Sequence, residues 1–294
     1  MPRVALKVDC DTCEGTLKGL PNLLRLFDEL KIRASFFFTL GPDNSGRAIR
    51  RVFTRKGFLK KMLRSNAAAL YGPKTMLYGT LLPAPVIGRR AKAEIRSVGD
   101  EGHDVGVHGW DHVRWHDYLD RMSAGEIERD YGAARRSFEE IFGRKAMSSA
   151  APGWHATPAS LAFQETFGLL YASDTRGGSP CFLESFNTLE IPTTLPTWDE
   201  AIGTPECPDD ERLIAHYRSL ASGTEVHTVH TEVEGTARLG LFRRQLEAWL
   251  ADGVSFLTMA DLAREQKSNR SSIPRRRLQR TEIPNRGGLI TATV

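Results

Sequence analysis

The sequence predicts an α/β barrel, a parallel sheet curled beneath covering helices, and three observations carry the prediction. Strand-like and helix-like segments alternate about six or seven times along the chain, which argues parallel strands joined by helical crossovers. No shift in composition marks a linker, and 294 residues with 40 % hydrophobic content can bury one large core. Polar and ionisable residues recur where the strands end, the rim at which barrels of this kind collect their chemistry.

The first strand is PRVALKVD (2–9), an apolar run that stops at carboxylates. LPNLLRLFDELKI (20–32) places Leu23, Leu24, Phe27 and Leu30 on one helical face, and ASFFFTLG (34–41) reads as a buried strand closed by Gly-Pro. After residue 90 the alternation resumes. AKAEIRSVGDEG is helical, HDVGVH extended, 125–143 helical, 145–150 extended, 157–168 helical and LLYASD (169–174) extended. TEVHTVH (224–230) is a strand, 242–253 a helix and VSFLT (254–258) the last strand. Asp9, Gly41, His108, Ala150, Asp174 and His230 all fall at strand ends, so the candidate chemistry is expected to converge on one mouth. Residues 1–266 are expected to form a single barrel domain. The segment 267–294 is basic and is expected to be a disordered tail.

Charge is distributed unevenly. The net charge is +4, yet residues 44–93 hold twelve Lys or Arg and no acid, and 267–286 hold seven basic residues against Glu282. Such blocks imply an anionic partner surface. No run of about 18 apolar residues exists to span a bilayer. Four cysteines at 10, 13, 181 and 207 lack the spacing of a disulfide framework, and MPRVALKVDCD has no apolar core of leader length, so a cytoplasmic, reducing compartment is expected.

The stretch KVDCDTCEG (7–15) admits two chemistries. Cys10-x-x-Cys13 could be a redox pair or a metal clip, although a redox pair would normally open a helix in a smaller domain. Asp9 and Asp11, two apart, could divide labour between a base and a metal ligand, and a nearby cation would keep both ionised. GHDVGVHGWDH (102–112) adds His108 and His112, whose spacing suits a divalent cation if the chain turns helically there. A carboxylate from Asp9 or Asp11 would complete an open site. His103 and His116 read as backbone-capping histidines. His227 and His230 should face opposite sides of their strand, so one of them can reach the mouth as an acid.

The order carboxylate pair, His-x-x-x-His, Pro-Gly-Trp, strand-end Asp and final His resembles the polysaccharide deacetylase superfamily (NodB homology, carbohydrate esterase family four). The resemblance implies a distorted (β/α)7-type barrel and metal-dependent removal of N-acyl groups from sugars. KVDCDT, FFFTLGPDNSGR, FLKKMLRSNAAALYG, VGVHGWDH, SAAPGW, YASDTRG, IPTTLPTWDEAIG and HTEVEG resemble more narrowly the branch that deformylates a formamido sugar on a polyprenyl phosphate, in lipid A modification and polymyxin resistance. It implies Asp9 as base, His230 as general acid, and Asp11, His108 and His112 as ligands of a divalent ion (zinc, cobalt, manganese or nickel). Asp174 would fix the tautomer of a neighbouring imidazole, and a backbone N–H near Gly153-Trp154 would meet the oxyanion. Trp198, Asp199, Glu232 and Glu234 are candidates for sugar contact. The superfamily often carries Arg-x-Pro at its third motif, where the Arg steadies the base. Here Ala150-Ala151-Pro152 lacks it, and Arg176 is a candidate substitute.

RRVFTRKGFLKKMLRSNAAALYG (50–72) sets Phe58, Leu59, Met62 and Leu63 among Lys60, Lys61 and Arg64. With TMLYGTLLPAPVIG (75–88) it describes a basic amphipathic insertion suited to anionic lipid. The expected partners are therefore a polyprenyl-phosphate sugar and the cytoplasmic face of the inner membrane. A nucleic-acid binder is disfavoured, since no reader motif is present and few aromatics interleave the basic tail.

Overall fold

The computed structural model describes residues 1–50 and 74–294. Most of the amphipathic segment 50–72 therefore lies outside the described residues. A parallel sheet curls into a half-barrel, in the order β10-β6-β7-β5-β4-β3-β2-β1-β8, with β9 also pairing β1. Its heart is β1 (Arg3–Cys10), flanked by β2 (Ser35–Phe38) and β8 (Thr224–His230); β3 (Asp104–Val107), β4 (Ser148–Ser149) and β5 (Tyr171–Ala172) continue in step. The far edge holds β6 (Cys181–Leu183), antiparallel to β7 (Leu189–Glu190), while β9 (Ser255–Leu257) lies against the start of β1.

Period-two alternation sorts the strands. Val4, Leu6, Val8 and Cys10 face the covering helices in one apolar cluster with Leu23, Phe27, Phe36, Phe38, Phe242 and Trp249. The inner face carries a smaller cluster, including Ala5, Phe37, Tyr171, Val226 and Met259, and beside it the ionisable groups. The helix Leu20–Leu30 buries the expected face through Leu23, Leu24 and Phe27 and stops at Lys31, which is left-handed with φ 57°. The long helix Ala124–Phe142 begins at a Ser123/Glu126 capping box and ends at left-handed Gly143.

The C-terminal segment corrects the expectation of a disordered tail. β10 (Arg275–Arg276) pairs with β6, and β11 (Leu278–Thr281) forms an antiparallel pair with β12 (Ile290–Thr293). Its cations are matched by distant acids: Arg277 by Glu184, Arg280 by Asp120 and Arg286 by Glu200. Ile273 and Ile290 are buried. No helix among the described residues is long and apolar enough to cross a membrane.

Candidate metal and amide-hydrolysis site

The site is built at the C-terminal rim of β1, β3 and β8. Register places Asp9 opposite His230. Asp11 lies just past the strand, and β3, two strands over, delivers His108 one residue after its end. His112 arrives by a strand–turn–helix rather than by one helical turn. Gly109, at φ 82°, reverses the chain, and Asp111 caps the helix His112–Tyr118 by accepting the Arg114 N–H at 2.9 Å. Asn44 in turn holds Asp111, donating at 2.6 Å. The two imidazole centroids end 5.5 Å apart.

Asp11, His108 and His112 each offer one ligand atom, and these atoms lie within 4.8 Å of one another. His108 Nε2 is 3.2 Å from Asp11 Oδ1, and His112 Nε2 is 3.3 Å from Asp11 Oδ2. His108 Nδ1 lies 2.9 Å from the Ala150 carbonyl, which can only accept. Nδ1 therefore carries the hydrogen, and in the neutral ring the Nε2 lone pair faces a carboxylate. Such a pairing calls for positive charge between the two, either a proton or a cation. The electrostatics agree. Burial would lower the His108 pKa, but Asp9 and Asp11 raise it overall. Burial would likewise raise that of Asp11, but His112, His108 and His230 hold it far below the carboxylate range. Two buried carboxylate oxygens, Asp9 Oδ1 and Asp11 Oδ1, have no hydrogen-bond donor among the described residues. An imidazole pair with one carboxylate, its outer ring nitrogen fixed by a carbonyl, suits a divalent ion.

Asp9 stands next to this group, with Oδ2 3.8 Å from His108 Nε2. His230 ends β8 beside it and donates its backbone N–H to Glu234 at 2.9 Å. His227, three residues earlier, is fully buried on the helix side against Tyr217 and Trp249. The thiols are shut away: burial pushes the Cys10 pKa well up and that of Cys13 to about 11, the opposite of an activated thiol. His103 accepts the Ala34 N–H, the capping role its sequence suggests.

Several sequence expectations are corrected by the surroundings. The task expected of Asp174, fixing an imidazole tautomer, belongs to the Ala150 carbonyl. Burial lifts Asp174 to about 6 against opposing interactions from Gln164, Lys7 and the Ala151 N–H. Trp198 is fully buried, donates to Gln245 at 2.7 Å and packs edge-on against Phe242, so it cannot meet a sugar. Asp199 accepts the Thr197 hydroxyl at the start of the short helix Trp198–Ala201. Glu232 and Glu234, candidates for sugar contact, are buried: Glu232 accepts from the Thr231 hydroxyl at 3.1 Å, and burial raises Glu234 to about 7. The Trp154 N–H is given to the Ala151 carbonyl at 3.1 Å and is not free for an oxyanion. Gly153 and Trp154 both have positive φ, 63° and 52°. A Cβ at Gly153 would meet His116 Cδ2 at 1.9 Å.

Arg176 does not reach Asp9. It binds Glu200 at 3.0 and 3.2 Å and stacks on Trp154, joined there by Arg286 from the C-terminal segment, which also pairs with Glu200. The cation beside Asp9 is Lys7, whose Nζ lies 3.6 Å from Oδ2. Lys7, Glu200 and Arg286 are not among the residues that the sequence singled out. For Lys7 a signal was available: a charged residue in step with Asp9 on the inward face of an otherwise apolar strand.

Residues 3–172 match the polysaccharide deacetylase family. A relative from Shewanella sediminis (strain HAW-EB3), named "Probable 4-deoxy-4-formamido-L-arabinose-phosphoundecaprenol deformylase ArnD", is 39 % identical over 88 % of this chain and 85 % of its own length. One of the same name from Wigglesworthia glossinidia brevipalpis is 32 % identical over 94 % and 97 %. Among solved structures, a Mycobacterium smegmatis chain assigned to the polysaccharide deacetylases superposes with TM-score 0.66 at 19 % identity, covering 96 % of this chain and 94 % of its own. Puue allantoinase gives 0.62 at 17 % identity, covering 90 % of each chain. The chain belongs to the polysaccharide deacetylase family.

Proposed function

We propose that the protein is a metal-dependent deformylase that hydrolyses the N-formyl group of 4-deoxy-4-formamido-L-arabinose on a polyprenyl phosphate, releasing formate and the free amino sugar. One observation carries the reading: Asp11, His108 and His112 offer ligand atoms that lie within 4.8 Å of one another, with Asp9 and His230 on adjacent strand ends beside them. The names of the two curated relatives supply the substrate.

Asp11, His108 and His112 would hold the divalent ion, which when bound would polarise the amide oxygen and make water more acidic. Asp9 takes the proton from the attacking water as its oxygen bonds to the formyl carbon. His230, across the register from Asp9, gives a proton to the sugar nitrogen as the C–N bond breaks. The two proton transfers balance, one onto Asp9 and one off His230. The Ala150 carbonyl holds the His108 hydrogen on Nδ1, which leaves the Nε2 lone pair as the donor the ion would need.

The substrate's lipid tail calls for a docking edge. Leu77, Leu81 and Leu82 are exposed, Leu81 by 81 %, and they adjoin the basic amphipathic segment of the sequence. We assign this edge to the anionic cytoplasmic leaflet, about 1 kcal/mol per basic residue near the surface. The activity belongs to lipid A modification and resistance to cationic antimicrobial peptides. The test is formate release from the formamido-arabinose lipid by purified protein. Activity should vanish with a chelator and return with zinc, cobalt, manganese or nickel. Hydrolysis of an N-acetyl polysaccharide with no formate release would replace this reading by that of a deacetylase.

A further inference from the structure

Lys7 sits on β1 two residues before Asp9, so strand alternation aims both side chains into the barrel. It is fully buried, a position an ammonium tolerates only among opposite charge and acceptors. Nζ lies 3.6 Å from Asp9 Oδ2 and donates to the Ser173 carbonyl at 3.2 Å. The rings of Phe37 and Trp154 close around it, with centroids 5.8 and 5.4 Å away. Arg176 and Arg286 lie against Trp154 with their guanidinium carbons 4.8 and 4.6 Å from its ring, and both are engaged with Glu200. Asp9 is thus held unequally. Oδ2 faces the ammonium, while Oδ1 is buried without a hydrogen-bond donor among the described residues.

We propose that Lys7 is the positioning residue for the base, its ammonium fixing Asp9 Oδ2 so that Oδ1 is left to receive the proton from water. The inference rests on the assignment of Asp9 as base. It explains how a third motif without arginine still yields an oriented carboxylate: the cation comes from within the same strand as the base. The place calls for a cation beside Asp9, and lysine supplies one on a flexible stem.

The experiment compares Lys7→Met, Lys7→Arg, Asp9→Asn and the double variant Lys7→Met/Asp9→Asn as cobalt-loaded full chains. The substrate is a short polyprenyl phosphate carrying 4-formamido-4-deoxy-L-arabinose. Formate release is read as kcat and KM separately, and bound cobalt per chain and thermal melting are recorded. Lys7→Met should lower kcat by about 30-fold or more with KM and cobalt content within about twofold, because an oriented base acts in the transition state rather than in binding. Lys7→Arg should recover most of that loss. The double variant should be no slower than Asp9→Asn, since Lys7 acts through Asp9.

Wild-type kcat in Lys7→Met, alongside an inactive Asp9→Asn, overturns the inference and leaves the base assignment standing. A fully active Asp9→Asn overturns both. A loss that tracks missing cobalt, or that multiplies with the Asp9→Asn loss, overturns the inference too. If Lys7→Met does not fold, Lys7→Gln and Lys7→Arg carry the same comparison. Failure of all three to fold makes Lys7 a structural residue and ends the proposal.

Discussion

The two faces of β1 are buried alike and do opposite work. Outward, Val4, Leu6, Val8 and Cys10 are all fully buried in apolar packing against the helices. Inward, Lys7 and Asp9 are nearly as inaccessible, at 0 % and 3 % exposure, yet both are ionisable: they face each other along β1, and Asp9 also faces His108. β8 repeats the division, with His227 outward between Tyr217 and Trp249 and His230 at the rim. Burial alone therefore does not separate core from chemistry in this fold; the strand period does. A one-residue slip of β1 would drive charge into the helix layer and leucine into the site.

The comparison can be broken from either face. The largest effect is expected at the rim: Asp11→Asn should strip the metal and cost about 10³-fold or more in activity, with melting little changed, because removing a ligand also removes the ion's chemistry. Metal content and formate release check it. Asp9→Asn should cost about 10²- to 10⁴-fold while metal is retained, the range for a lost general base. Metal loss in Asp9→Asn would instead make Asp9 a ligand. On the outward face, Leu6→Ala should lower unfolding free energy by about 2–5 kcal/mol. Denaturant titration measures this, and kcat per folded molecule should hold.

A pH prediction follows from His227. Burial, with smaller contributions from His230 and Arg176, pulls it down from 6.5 to about 3, so it is neutral in the fold and protonated in the unfolded chain at mildly acid pH. The unfolded state then binds more protons, and stability falls as pH drops from 6.5 towards 3. His103, lowered to about 4 mainly by burial, acts in the same direction. Melting temperature against pH should show that acid slope, and His227→Phe should flatten it if the ring is accommodated. The smallest effect belongs to Cys10→Ala, about 1 kcal/mol in stability, with metal content and activity unchanged. A loss of either would restore a role for the thiols.

Much of this architecture was legible because it is periodic. The apolar alternation of PRVALKVD, the helical face of 20–32 and the carboxylates and imidazoles at strand ends can be read from residue spacing, and the structure forms β1, β2, β3 and β8 there. The illegible parts depend on partners far away in sequence. The register of Lys7 with Asp9 is visible in the sequence, but Ser173, Phe37 and Trp154, which enclose it, come from distant segments. The C-terminal segment reads as disordered by composition, because its counter-charges at Asp120, Glu184 and Glu200 lie some 90 to 160 residues upstream. Trp198 looks like a sugar platform in sequence, and only the packing of Phe242 and Gln245 shows that it is core.

The stacking of Arg286 on Trp154 has a consequence for the birth of the molecule. The wall behind Lys7 and Asp9 draws on residues near position 150, near 176 and at 286, so synthesis must pass residue 286 before that wall can close. A nascent chain paused earlier would expose Trp154 and leave Glu200 with one guanidinium instead of two.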